Sequence, residues 1–105
     1  MDKVSLLYVT ASGKEEAREI GKKLVEDRLA SCVNIYEGMT AIYRWEGRVE
    51  SGSEAALIIK SKSSLVEELK KRIKELHSYS CPCILVFEAS DADAGYAEWI
   101  LSETK

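Results

Sequence analysis

The sequence is poor in the residues that interrupt or cross-link a chain. One proline and six glycines in 105 residues leave no linker and no low-complexity stretch, so a single domain over 1–105 is expected. The three cysteines, Cys32, Cys81 and Cys83, are odd in number and do not form a disulfide framework; they read as reduced thiols. No apolar run approaches the roughly 20 residues that span a bilayer, which excludes a membrane partner of that kind. The opening Met1-Asp2-Lys3-Val4-Ser5 lacks the basic stretch, apolar run and cleavage site of a signal peptide, so a cytoplasmic location is expected. Fifteen Lys and Arg stand against eighteen Asp and Glu, a net charge of −3 with the signs interleaved. Without a basic field to hold a phosphate backbone, nucleic acid is not expected as a partner.

Hydrophobic spacing defines the elements that are there. Val4, Leu6, Leu7, Tyr8 and Val9 form a short apolar run closed by Thr10-Ala11-Ser12-Gly13, a buried strand and a turn. Ser12 with Glu15 fits a capping box, and Ala17, Ile20, Leu24, Val25 and Leu29 recur along one helical face. From Cys32 to Ser61 the period changes to two, which predicts a long hairpin with arms at 39–47 and 53–61. Alternation slips after Glu37, so Gly38 is expected at a bulge or break. Ser64 with Glu67 predicts a second capped helix, whose stripe is Leu65, Leu69, Ile73 and Leu76 and whose surface carries Glu67–Lys71 and Glu68–Arg72 pairs. A strand over Cys83-Ile84-Leu85-Val86-Phe87 follows, then a short helix introduced by Asp91 to Asp93 and carrying Tyr96, Trp99 and Ile100.

Two split strand-helix-strand units in this order close into an α+β ferredoxin-like sandwich. It has a four-stranded antiparallel sheet, two helices on one face and a protruding hairpin. That fold leaves the second sheet face bare. Yet the first, third and fourth strands are apolar on consecutive residues, as strands covered on both sides are. The short last helix can hide only part of this face. Copies of the same chain are the expected cover, with Tyr43 and Trp45 of the hairpin as interface anchors.

The segments Leu29-Ala30-Ser31-Cys32-Val33-Asn34-Ile35, Tyr43-Arg44-Trp45-Glu46-Gly47-Arg48, Ile58-Ile59-Lys60 and Leu76-His77-Ser78-Tyr79, with Tyr96 and Trp99, carry a resemblance that runs the length of the chain. The sequence resembles the CutA divalent-cation tolerance family. The resemblance implies a homotrimer similar in assembly to the PII signalling proteins, and a role in tolerance of divalent metals with copper as the bound ion. It also implies a thiol and a tandem histidine pair as ligands. Here Val9 stands in place of the thiol and Leu76 in place of the first histidine, so only His77 carries over. The family's usual stretch of His-Pro-Tyr-Glu, an apolar residue, Pro and Glu reads His77-Ser78-Tyr79-Ser80-Cys81-Pro82-Cys83, so both carboxylates are gone: Ser80 and Cys83 stand in their places and Cys81 in that of the apolar residue.

Cys81 and Cys83 are two apart, so an extended backbone puts both sulfurs on one side, where soft thiolates can hold Cu(I) or share Zn(II), with His77 as a third ligand. The competing reading makes the two cysteines small apolar residues at the start of a buried strand, and His77 a partner for the carbonyls at a helix C-terminus. Cys32 reads as packing. Arg44, Glu46, Arg48 and Glu50 read as a solvated or intersubunit charge ladder.

No nucleophile and base pair is recognisable, no glycine-rich phosphate loop occurs, and Ser12-Gly13 offers only a helix N-terminus to an anion, so no enzyme activity is expected. Two functions remain open. One is a metal-binding homotrimer in metal tolerance. The other is a PII-like trimer that binds a small ligand or partner in its intersubunit clefts.

Overall fold

A computed structural model describes residues 2–105. The elements follow the order β1 (Val4–Ala11), α1 (Lys14–Glu26), β2 (Cys32–Trp45), β3 (Arg48–Lys62), α2 (Val66–Leu76), β4 (Ile84–Glu88) and α3 (Ala94–Glu103), with one 3-10 turn at Ser63–Leu65 before α2. The sheet order is β2-β3-β1-β4 and every pairing is antiparallel. This is the expected ferredoxin-like sandwich.

Alternation assigns the two sheet faces. Leu7 and Val9 of β1 lie across from Ile59 and Leu57 of β3, and all four are fully buried beneath Ala17, Ile20 and Leu24 of α1 and Leu69 and Ile73 of α2. Val25, expected on the buried stripe, is 41% exposed: it lies about 100° round the helix from Leu24, past the edge of the contact. Gly21 takes the inward place instead, its Cα backing onto the Val33 side chain.

The opposite face carries Leu6, Tyr8, Ile58, Leu85 and Phe87 by the same register. Helix α3 covers one end of it, where Ile100 is buried and Lys60 Nζ donates to Tyr96 Oη at 3.1 Å. The rest is open, with Leu85 53% and Phe87 56% exposed.

The hairpin is longer than expected and runs without a break from Cys32 to Lys62. Its turn is Glu46-Gly47, both at positive φ, the geometry of a type I′ connection between Trp45 and Arg48. The slip at Gly38 is a bulge: Tyr36 pairs with Ala56 and Met39 with Glu54, so Glu37 and Gly38 oppose Ala55 alone. Gly38 adopts φ +68°, which glycine takes without a Cβ penalty. The extra residue turns Met39, Ala41, Tyr43 and Trp45 onto the open face together with Glu54.

Both helix starts differ from the expected capping boxes. Helix α1 begins one residue later, with Gly13 at its cap, so Ser12 pairs with Glu16 rather than Glu15. Before α2, Ser64 bonds through its backbone N–H and its hydroxyl to the Asp2 carboxylate, while Glu67 reaches Lys70. The expected Glu67–Lys71 and Glu68–Arg72 pairs give way to tertiary ones: Arg72 binds Asp27 at 3.1 Å and Glu68 binds Lys105 at 2.7 Å.

Candidate functional site

The segment between α2 and β4 brings the predicted site residues to one end of the open face. His77, the residue after α2, is buried against β1. Its Nδ1 accepts the Tyr79 backbone N–H at 3.0 Å, and a backbone N–H can only donate, so the ring proton sits on Nε2 and is donated to the Thr10 carbonyl at 2.7 Å. Both nitrogens are thereby committed. The structure does not place His77 beside the thiols as a third ligand; the imidazole ties the loop to the end of β1.

Two further bonds hold the same loop. Ser78 N donates to Glu16 Oε2 at 2.8 Å, while Glu16 Oε1 accepts from Ser12 N and Ser12 Oγ at 2.9 and 3.0 Å. The turn that could have offered donors to an outside anion is thus filled by the chain's own carboxylate. Partial burial opposes ionisation of Glu16, yet the bonds from Ser12 and Ser78 outweigh it and hold the carboxyl down at about 2. Tyr79 Oη donates to Glu54 Oε2 at 2.9 Å across to β3, and its ring stacks at a tilt against His77 with centroids 4.7 Å apart. Burial, then the carboxylate of Glu54, push the Tyr79 phenol up to about 12, so it remains a donor.

Beyond these anchors lie Ser80, Cys81, Pro82 and Cys83. Cys81 is exposed and Cys83 half-buried, just ahead of β4 rather than within it. Both line an open cleft of about 400 Å³ whose other walls include Tyr43, Trp45, Tyr79 and Glu54. Cys32 lies elsewhere, opposite Lys60 at the start of β2. Tyr43 and Trp45 are 48% and 56% exposed on the hairpin, and no ion pair forms within the chain among Arg44, Glu46, Arg48 and Glu50 among the described residues.

Sequence reasoning missed Glu16, Thr10 and Glu54 as parts of this site. Glu54 had a signal, a lone acidic residue just ahead of the apolar run Ala55-Ala56-Leu57. It brings from β3 a carboxylate that the loop itself lacks. A divalent cation of zinc type takes about four ligands. Among the described residues no group of three His, Cys, Asp or Glu is placed to hold a metal, so one chain does not fit such an ion; it offers two soft sulfurs.

An antiparallel ferredoxin-like sandwich with an open apolar face, a long bulged hairpin and a loop cleft beside it places the chain in the ferredoxin-like class of small α+β proteins. Comparison with known proteins narrows the class. The family model described as "CutA1 divalent ion tolerance protein" matches residues 5–103. The chain is 40% identical over 99 residues to the divalent-cation tolerance protein CutA of Thermus thermophilus, covering 94% of this chain and 96% of that one. The solved structure of CutA1 from Ehrlichia chaffeensis superposes with a TM-score of 0.96 at 31% identity, over 100% of this chain and 98% of that one. The periplasmic divalent cation tolerance protein CutA from Archaeoglobus fulgidus gives 0.94 at 34%, over 97% and 99%. The chain belongs to the CutA1 divalent ion tolerance family.

Proposed function

We propose that this chain acts as a homotrimer that binds metal ions in metal tolerance, with copper as its ion, and that it works by binding rather than catalysis. The observation that carries the assembly is the open face. Leu85, Phe87, Tyr36 and Trp45 are each more than half exposed on one side of the sheet, an apolar surface that a monomer would leave in water. Closed cyclic assembly covers it without exposing a new edge. The number three rests on the family resemblance, and the metal on the family together with the two thiols in the cleft. The absence of catalysis is supported by the commitment of the lone histidine to Thr10 and Tyr79. Cys32, Cys81 and Cys83 are all free thiols, which suits a reducing, cytoplasmic setting.

Sedimentation equilibrium tests the assembly: a mass three times the 11.7 kDa chain is expected at micromolar concentration, and a single-chain mass contradicts it. Growth of a copper-sensitive strain with and without the expressed chain tests the role, with better growth in copper expected only with the chain. A second reading has its own support. The cleft walled by Tyr43, Trp45 and Tyr79 with Glu54 beside them fits a small ligand of PII-like signalling. On that reading ligand binding is indifferent to Cys81→Ser and Cys83→Ser.

A further inference from the structure

We propose that Cys81 and Cys83 together form a two-thiolate site for a soft monovalent cation of the Cu(I) and Ag(I) class, in preference to divalent ions that need more ligands. The inference deepens the metal-handling reading above and rests on it. Four observations carry it. Both side chains line one cleft and both are reachable, Cys81 exposed and Cys83 half-buried. Pro82 between them fixes its own φ and disfavours helical backbone at Cys81, which stiffens the two-residue spacing of the thiols.

The segment that carries them is anchored immediately upstream at three points on three elements: His77 on Thr10, Ser78 on Glu16 and Tyr79 on Glu54. A loop held in this way loses little freedom when an ion binds. Finally, the donor set within one chain favours such an ion. No third His, Cys, Asp or Glu among the described residues completes a cluster with the pair, and both His77 nitrogens are already bonded. Two soft thiolates satisfy a soft monovalent ion, whereas zinc-type ions take about four ligands. On binding, each thiol loses its proton to solvent and its sulfur donates a lone pair to the ion, with no change of oxidation state.

The test uses the assembled, fully reduced protein. Ag(I), and Cu(I) under anaerobic conditions against a chromogenic chelator, are titrated into the parent chain and into Cys81→Ser, Cys83→Ser and Cys32→Ser, each checked by circular dichroism for an unchanged fold. The expected result is one ion per chain, ultraviolet thiolate-to-metal absorption and release of two protons. Binding is lost in Cys81→Ser and in Cys83→Ser, kept in Cys32→Ser, and not displaced by excess Zn(II). Binding that survives both Cys81→Ser and Cys83→Ser, or that falls in Cys32→Ser, overturns the assignment and leaves the metal-handling reading in place. Zn(II) binding as tightly as Ag(I) overturns the selectivity. A trimer that takes no metal ion of any kind overturns both readings.

Discussion

Replacement of Glu16 by glutamine probes how the site loop is held. The carboxylate accepts three hydrogen bonds, two from Ser12 and one from Ser78, and joins the start of α1 to the loop after α2. Burial pushes the group up, the hydrogen bonds push it down further, and the balance takes it from 4.5 to about 2. A carboxyl depressed in the folded state stabilises the fold above its unfolded value, and that stabilisation is lost as pH falls through the folded one. The window therefore runs from about pH 4.5 down to about pH 2. At about 1.4 kcal/mol per pH unit the gap sets a ceiling of roughly 3 kcal/mol. Water reaches part of the side chain, so screening reduces the expected contribution to ~1–2 kcal/mol. Glu16→Gln keeps the shape but places an uncharged amide against backbone donors. Urea unfolding followed by circular dichroism, at one fixed chain concentration, should find the variant less stable by ~1–2 kcal/mol at about pH 7, with the difference shrinking toward zero near pH 2. An identical difference at both pH values would refute the charge-assisted account.

The remaining expectations concern the hairpin and the loop. Trp45→Ala should weaken assembly by roughly 2 kcal/mol or more per interface, as loss of a buried aromatic anchor does, read as a shifted trimer dissociation curve; an unmoved curve removes Trp45 from the interface. Gly38→Ala should lower stability by ~1 kcal/mol in urea midpoints, because φ is +68° although a Cβ there meets no atom within 4 Å; no change would mean that the bulge relaxes freely. Tyr79→Phe removes the donor to Glu54 and should cost ~1 kcal/mol, with a neutral result arguing against that bond as an anchor.

Features that depend on neighbours in sequence were legible before the structure. The bulge at Gly38 showed as a slip in alternation, because side-chain period follows directly from strand geometry. The uncovered face showed as consecutive apolar residues in strands of a fold that covers only one side. Features decided by distant parts of the chain were not legible. Ser64 looked able to cap its own helix with Glu67, yet Asp2, 62 residues away, takes its N–H and hydroxyl. Arg72 and Glu68 looked like partners at four residues, yet Asp27 and Lys105 reach them once the helices pack. His77 looked like a ligand because the family resemblance carries one histidine over to it and two thiols follow close behind in sequence. Only the approach of Thr10, 67 residues earlier, reveals that the ring is already engaged. The same is true of Glu54, which folding alone brings to Tyr79.

Native mass spectrometry of the fully reduced protein, before and after equimolar Cu(I) without oxygen, tests the central claim most directly, since it weighs the assembly and counts the ions together. The account predicts a species of three 11.7 kDa chains that gains one copper per chain, and no gain when Cys81 and Cys83 are both changed to serine. A single chain, or a trimer that takes up copper equally well without those two thiols, would contradict it.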